Sequence, residues 1–450
     1  MAVQRPKLGR RSKRHAKQQA DPKARTYVGD VIPRDGMGAS GKATMTLGFV
    51  LLSLAVGFVI GFAVFLVMNL STWLTNLLWT GLGGRIGVWW FPLVTCTIGG
   101  AVIGVWTHLT HDRVHSLKEV MVEFKQTGSY KVRGVVRPVV SFLLPLVFGG
   151  SIGFEAGLTG LIVAGCCWIR DQLKRAGLRV ASIADVSIAA CLSAIFRAPL
   201  VGIAAGAEDT SVDVDGYDMR RGAKAVLYSA AAFGAFAGIR VCSVVFGVSG
   251  GLPRFEEITA SATDFIWAVP CLALAYCMAL LFHGSKRLFA LAARRVGDNA
   301  VGTIAKPIIC GMVLGAIACA LPFVLFPGEA QSEELMESWT TMSALVLLLT
   351  GVLKVVATPL CLSMGWMGGD LFPSIFAGVS AGYGLAALTG ADPMLLVTVT
   401  TAAFLAGVVR KPLIVLAILF LCFPADGIVW MGLATLIGAT LPLPRALISE

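Results

Sequence analysis

The chain has 450 residues, 56% of them hydrophobic and only 14% charged, with a mean hydropathy of +0.79. A water-soluble domain cannot bury that much apolar surface, so soluble enzymes and binding modules are excluded and an all-α polytopic membrane protein is expected. Lys and Arg outnumber Asp and Glu by 37 to 26, and much of the excess lies before the first apolar run.

From Arg5 to Lys42 the chain is a basic tail. Ahead of a membrane span, such a tail is read as cytoplasmic and drawn to anionic lipid rather than to nucleic acid. It is too long and too charged for a secretory n-region, so no cleaved signal is expected. Gly36 to Ala43 nearly spells a phosphate-binding loop, but Ala43 replaces the required Ser or Thr and no strand precedes it, so nucleotide binding is rejected.

Residues 44–70 and 87–110 are long enough to span, the second beginning at the interfacial Trp89 and Trp90. Only Arg85 lies in the link between them, whereas the next link carries Arg113, Lys118, Lys125, Lys131, Arg133 and Arg137. That asymmetry places the N-terminus and the second link inside. Residues 114–127 read as a short amphipathic helix, too polar to span. His108, His111 and His115 cluster there, but no cysteine or carboxylate motif completes a metal site, and a solvated helix end is the simpler reading.

Residues 135–150 are apolar and run into Gly149-Gly150-Ser151-Ile152-Gly153-Phe154-Glu155-Ala156-Gly157-Leu158-Thr159-Gly160. A lone acid in an apolar span costs roughly 2.5 kcal/mol or more, and so many glycines make poor helix interior. A membrane helix interrupted at mid-depth explains both. Its new N-terminus points unpaired N–H groups at a water-lined cavity, and Glu155 sits where an anion would sit. The alternative is a small-residue packing seam with Glu155 reaching out of it.

Helices are expected at 158–173, 180–195 and 222–240, with Phe196 to Ile203 leading to Glu208 and Asp209. A polar stretch follows, then spans at 265–283 and 302–326 and an acidic link bearing Glu329, Glu333, Glu334 and Glu337. After 341–357 the chain breaks a second time, from Leu362 to Pro373, and shorter apolar pieces cover 374–389, 394–408, 412–423 and 427–441. The eleven cysteines lie mostly in apolar segments without a CxxC pair, so neither disulfides nor zinc are expected.

Each break is followed by a similar segment: Phe196-Arg197-Ala198-Pro199-Leu200-Val201 about 46 residues after Gly153, and Val409-Arg410-Lys411-Pro412-Leu413-Ile414 about 43 residues after Gly369. The matched order indicates an internal repeat, and repeat-built transporters place substrate between two broken helices at the bilayer midplane. The expected division is a tail 1–43, a first repeat 44–240, a linker 241–264 and a second repeat 265–450.

On these residues the chain resembles the CLC family of chloride channels and chloride/proton antiporters, over roughly residues 45–441. Phe196-Arg197-Ala198-Pro199-Leu200-Val201-Gly202-Ile203 with Glu208-Asp209 is similar to the family's FNAPLAGI…EE segment. Gly368-Gly369-Asp370-Leu371-Phe372-Pro373, preceded by Lys354, is similar to its GGxFxP motif, and Gly153-Phe154-Glu155-Ala156-Gly157 stands where the family has GREGP. The resemblance implies an inverted repeat with broken helices meeting at mid-membrane. It makes Glu155 the gate and proton carrier, Asp209 with Glu208 the internal proton-transfer acids, and Gly153, Phe154, Ala156, Gly369, Asp370, Leu371 and Phe372 anion-binding positions. The family's GSGIPE appears only as Val114-His115-Ser116-Leu117-Lys118-Glu119, so either His115 or Ser116 falls on its anion-binding serine.

Three departures stand out. Phe154 replaces the family's Arg, the late tyrosine that closes the inner side has no counterpart, and Asp370 occupies a position whose backbone N–H touches the anion. An Asp there can instead cap the new helix and point away. Glu208 and Asp209 can equally begin a solvated polar loop containing Asp213, Asp215 and Asp218. The resemblance further implies a homodimer in the cell membrane with one pathway per subunit for chloride or a related halide, without a cofactor; no regulatory nucleotide-binding module is expected. A dehydrated anion needs partial positive charge without a trapping countercharge, which helix N-termini supply; a carboxylate there competes while ionised and leaves when protonated. Proton-coupled antiport, a passive channel and an intramembrane enzyme are the three readings. The last lacks an HExxH or GxSxG motif.

Overall fold

The computed structural model describes residues 39–111, 136–175, 190–191, 193–195, 199–201, 203, 221–247, 253–261, 263–297 and 299–444. Its helices in the first half are α1 (Ala39–Asn76), α2 (Phe91–Thr110), α3 (Val136–Val147), α4 (Glu155–Arg175) and α5 (Arg221–Phe246). The second half holds α6 (Ala268–Val296), α7 (Ala300–Ala320), α8 (Glu329–Ser338), α9 (Ala344–Ser363), α10 (Leu371–Thr389), α11 (Pro393–Val409), α12 (Pro412–Cys422) and α13 (Ile428–Thr440). Among the described residues there is no strand, only an isolated antiparallel bridge between Gly153 and Gly369. Among the described residues, seven helical stretches are long and apolar enough to cross a membrane.

Several elements outrun their apolar cores. The span expected at 44–70 is a helix from Ala39 to Asn76 that continues as a π-helix over Leu77–Gly83. The one expected at 265–283 opens with a 3-10 turn at Asp264–Trp267 and runs to Val296, where Arg294 and Arg295 occupy the last turn and suit its negative dipole end. The acidic link is itself a helix, α8. Both helices that follow a break start earlier than their apolar pieces, α4 at Glu155 and α10 at Leu371. The amphipathic stretch 114–127, most of 180–195, the Phe196–Ala198 segment and the basic tail before Ala39 lie outside the described residues.

Two close seams join long helices. Side chains added at Gly57 and Gly61 of α1 would run into the backbone of Ala231 and Ala235 on α5, and those at Gly234 and Gly238 into Leu54 and Phe58. The second seam pairs Gly100 and Gly104 of α2 with Pro307 and Ile304 of α7, so it crosses between the halves. Small residues let helix backbones approach without a hydrophobic driving force from lipid.

The centre is formed by α10 and α11. Every residue of α10 from Leu371 to Gly384 is buried, as is every residue of α11 from Met394 to Gly407. A helix buried on all sides, Ser374, Ser380 and Tyr383 included, lies inside the bundle rather than against lipid. α9, α6 and α13 pack around this pair, which places the N-terminus of α10 deep in the bundle.

Candidate functional site

The first break begins where α3, carrying Pro145, ends at Val147. Gly149 turns the chain at φ +90°, a conformation open mainly to glycine. Gly150 N–H closes back on Pro145 O at 2.7 Å. The second break follows α9, and Trp366 secures it: its N–H donates to Cys361 O at 2.9 Å and its ring N–H to Pro307 O at 2.9 Å. The breaks then meet. Gly153 N–H donates to Gly369 O at 2.8 Å, and Gly369 N–H returns to Gly153 O at 2.9 Å. One turn of chain away, the hydroxyls of Ser151 and Thr358 stand 3.2 Å apart.

Glu155 lies over this junction with 1% of its surface exposed. Its Oε1 accepts the N–H of Leu371, the first residue of α10, at 2.7 Å. Its Oε2 is buried and accepts no hydrogen bond among the described residues. The carboxyl group therefore takes one of the N–H groups that a helix start leaves unpaired, at the positive end of the α10 dipole, which favours its ionised form. Both glycines are needed for this. A Cβ on Gly369 or on Gly153 would overlap the Glu155 carboxylate itself.

The remaining expected residues fall around it as follows. Ala156 is buried. Phe154, also buried, meets Phe372 edge-on at 6.0 Å between ring centroids, so an aromatic pair flanks the junction where the family pattern has a cation. Asp370 sits at the N-cap of α10 but makes no capping hydrogen bond with its side chain; only its carbonyl is used, by Ser374 N–H at 3.2 Å and Ser374 Oγ at 2.6 Å. The capping role expected for it is thus not taken up. The N–H groups of Gly153, Gly369 and Leu371 are spent within the site. His115, Ser116, Glu208 and Asp209 lie outside the described residues.

One supporting residue was visible only as a lysine ahead of the second motif. Lys354 on α9 is fully buried. Its Nζ donates to the carbonyls of Phe323 (3.2 Å), Val324 (3.2 Å), Leu325 (2.9 Å) and Phe326 (2.8 Å) and lies 4.6 Å from the centre of the Phe376 ring. All four partners are acceptors, which suits a group that only donates. Phe326, held at φ 63°, passes the restraint on through its N–H to Gly149 O at 3.2 Å. The lysine thereby links the loop after α7 to the first break. A lone cation in an apolar run is the signal that could have revealed it.

The described residues hold no group of three or more His, Cys, Asp or Glu side chains arranged for a metal. What the junction can do chemically is hold a carboxylate at a helix start, or an anion in its place once that carboxylate withdraws.

A family profile described as voltage gated chloride channel matches residues 99–442. The chain is 24% identical over 409 residues to chloride channel protein CLC-e of Arabidopsis thaliana, covering 81% of this chain and 55% of that protein. It thus spans about half the length of the curated relative it matches. Among solved structures it superposes on a CLC-type fluoride/proton antiporter with TM-score 0.68 and 16% identity, covering 90% of this chain and 97% of the other. A slow cyanobacterial Cl-/H+ antiporter gives TM-score 0.67 and 16% identity, covering 88% and 93%. A eukaryotic CLC transporter gives 0.64 and 18%, covering 87% and 71%. At these identities the likeness speaks for the fold.

Proposed function

The chain belongs to the voltage gated chloride channel family, and from that premise we propose that it exchanges chloride or a related halide for protons, with Glu155 as gate and proton carrier. The observation that carries this reading is the Leu371 N–H held by Glu155 Oε1 at 2.7 Å while Oε2 is buried without a partner. An ionised carboxylate is a tethered competitor for the anion at the α10 start. Protonation removes its charge and its claim on that N–H, so the same side chain opens the site and carries a proton away. Two of the structural relatives are described as proton-coupled antiporters, one for fluoride and one for chloride.

In this reading Asp209, with Glu208, hands protons to the cytoplasmic side, and His115 or Ser116 completes the anion site from within. The protein acts as a dimer with one pathway per copy in the cell membrane, N-terminus inside. The tail before Lys42 contacts anionic lipid and supplies no site. A variant lacking residues 2–35, once inserted, is expected to match the intact chain in liposome halide flux; loss of flux would overturn that role.

The gate is tested in liposomes containing the purified protein, with chloride and proton movements measured together. Glu155→Gln keeps the shape and removes the charge. It is expected to retain chloride flux and to abolish proton movement against a gradient. If the intact protein dissipates a chloride gradient without moving protons, and Glu155→Gln alters only its openness or pH dependence, the passive channel replaces the antiporter. If Glu155→Gln changes neither flux nor pH dependence, the gate assignment fails.

A further inference from the structure

The starts of α4 and α10 are joined at three points. Gly153 and Gly369 exchange two hydrogen bonds, and Glu155 Oε1 takes the Leu371 N–H. The third is the edge-on contact of Phe154 with Phe372, ring centroids 6.0 Å apart and planes at 85°. Neither ring can take or give a proton, so the gate chemistry does not account for this contact. Phe154 precedes Glu155 and Phe372 follows Leu371. The ring pair therefore bridges the same two helix starts as the gate bond, one residue away on each side.

Both rings are buried, and so are the neighbouring Ile152, Ala156 and Leu158. The walls beside the gate are thus apolar. The N–H groups of Gly153, Gly369, Leu158 and Ser374 are bonded to backbone carbonyls, and Pro373 has no N–H to offer. Neither break contains a base: from Gly149 to Thr159 and from Met364 to Ser374 the only ionisable acids or bases are Glu155 and Asp370. The buried cation beyond them, Lys354, has its Nζ on four carbonyls.

The Glu155 carboxyl group measures the space between the breaks. A Cβ on either Gly153 or Gly369 would overlap it, so the group fills the gap. On withdrawing, it vacates room for three bonded heavy atoms, wider than a single chloride. An anion that takes this place gives up its water and receives partial charges in return. The cost of leaving water rises as an ion shrinks, and only a strong local field repays it for the small ones.

We propose that the Phe154–Phe372 pair makes this a weak-field site, which selects weakly hydrated monovalent anions. Iodide, nitrate and thiocyanate are taken ahead of chloride, and chloride ahead of fluoride. Phe154 is the specificity-determining residue, because it stands beside the gate where a cation would raise the field. The inference rests on the reading of Glu155 as a gate whose place the anion takes, and it narrows the anion of that reading.

The test uses the full chain in liposomes loaded with chloride. The half-saturating external concentration is measured for fluoride, chloride, bromide, nitrate, iodide and thiocyanate in turn. It is expected to fall from fluoride through chloride to iodide and thiocyanate, with iodide at least about threefold below chloride. Phe154→Lys adds a full charge beside the Leu371 N–H and is expected to shrink the iodide-over-chloride preference at least about threefold. Phe154→Leu loses the ring contact but keeps the wall apolar, and is expected to keep the order. A merely structural role for the ring pair would instead make the Leu and Lys variants alike. A preference for chloride or fluoride over iodide in the intact chain overturns the proposal, as does an unchanged preference in Phe154→Lys. Should Phe154→Lys not be recovered as folded protein, the order in the intact chain decides alone. The gate is read separately: if Glu155→Gln still moves protons against a gradient, that reading fails whatever the anion order.

Discussion

Gly369→Ala is expected to abolish proton-coupled exchange, by at least about a hundredfold on the scale of a lost acid–base group. The reason is steric. A methyl group at Gly369 would occupy the space of the Glu155 carboxylate, and Gly369 cannot withdraw without breaking its two hydrogen bonds to Gly153. Glu155 can then no longer return to the Leu371 N–H, so the cycle stops with the acid excluded. Combining Gly369→Ala with Glu155→Ala removes the overlap, and proton movement should remain absent. Paired chloride and proton flux measurements in liposomes check both variants. Exchange at the original rate in Gly369→Ala alone would show that Glu155 does not need this position.

Lys354→Met is expected to prevent the protein from reaching a stable fold. Methionine fills similar volume but leaves the carbonyls of residues 323–326, those of Val324 and Leu325 buried and the other two part-buried, without the Lys354 donor. A buried acceptor left unpaired costs about 1–3 kcal/mol, and partial rearrangement of the loop would still leave more than one. The loop would also lose its hold on Gly149 through Phe326, so damage at α9 is transmitted to the first break. Arginine is not expected to rescue it, because a planar fork cannot replace a compact ammonium among four converging oxygens. Thermal unfolding in detergent and the yield of monodisperse protein measure the effect; a melting temperature equal to that of the intact chain would refute it.

The breaks were legible because two rules of membrane sequences fail at one place: Glu155 is an acid in an apolar run, and glycine crowds around it. The matching segment at Gly369 then indicated the partner. Helix ends were read less well, since hydropathy reports where lipid ends rather than where backbone hydrogen bonding ends. α6 continues past its apolar part to Arg294 and Arg295, and α8 is helical although none of it is apolar enough to span. The early start of α10 could have been read from Pro373, a residue suited to a first turn. The partners of Lys354 were not legible, because they lie 28 to 31 residues away on a loop whose path depends on tertiary contacts. Asp370 resembled a helix cap by position and residue type; only the structure shows the cap bond unmade.

The mutual bonding of Gly153 and Gly369 also bears on how the protein is made. Leu371 lies 216 positions beyond Glu155, so the ribosome completes the first break long before its counterpart exists. Until then the nascent first half holds a buried acid and two unanswered backbone groups inside the bilayer. Neither half can therefore mature alone, and the halves expressed as separate polypeptides should be degraded singly and rescued by co-synthesis. Quality control in the cell would in that case sense the missing half through Glu155, the residue costliest to leave unfinished in lipid.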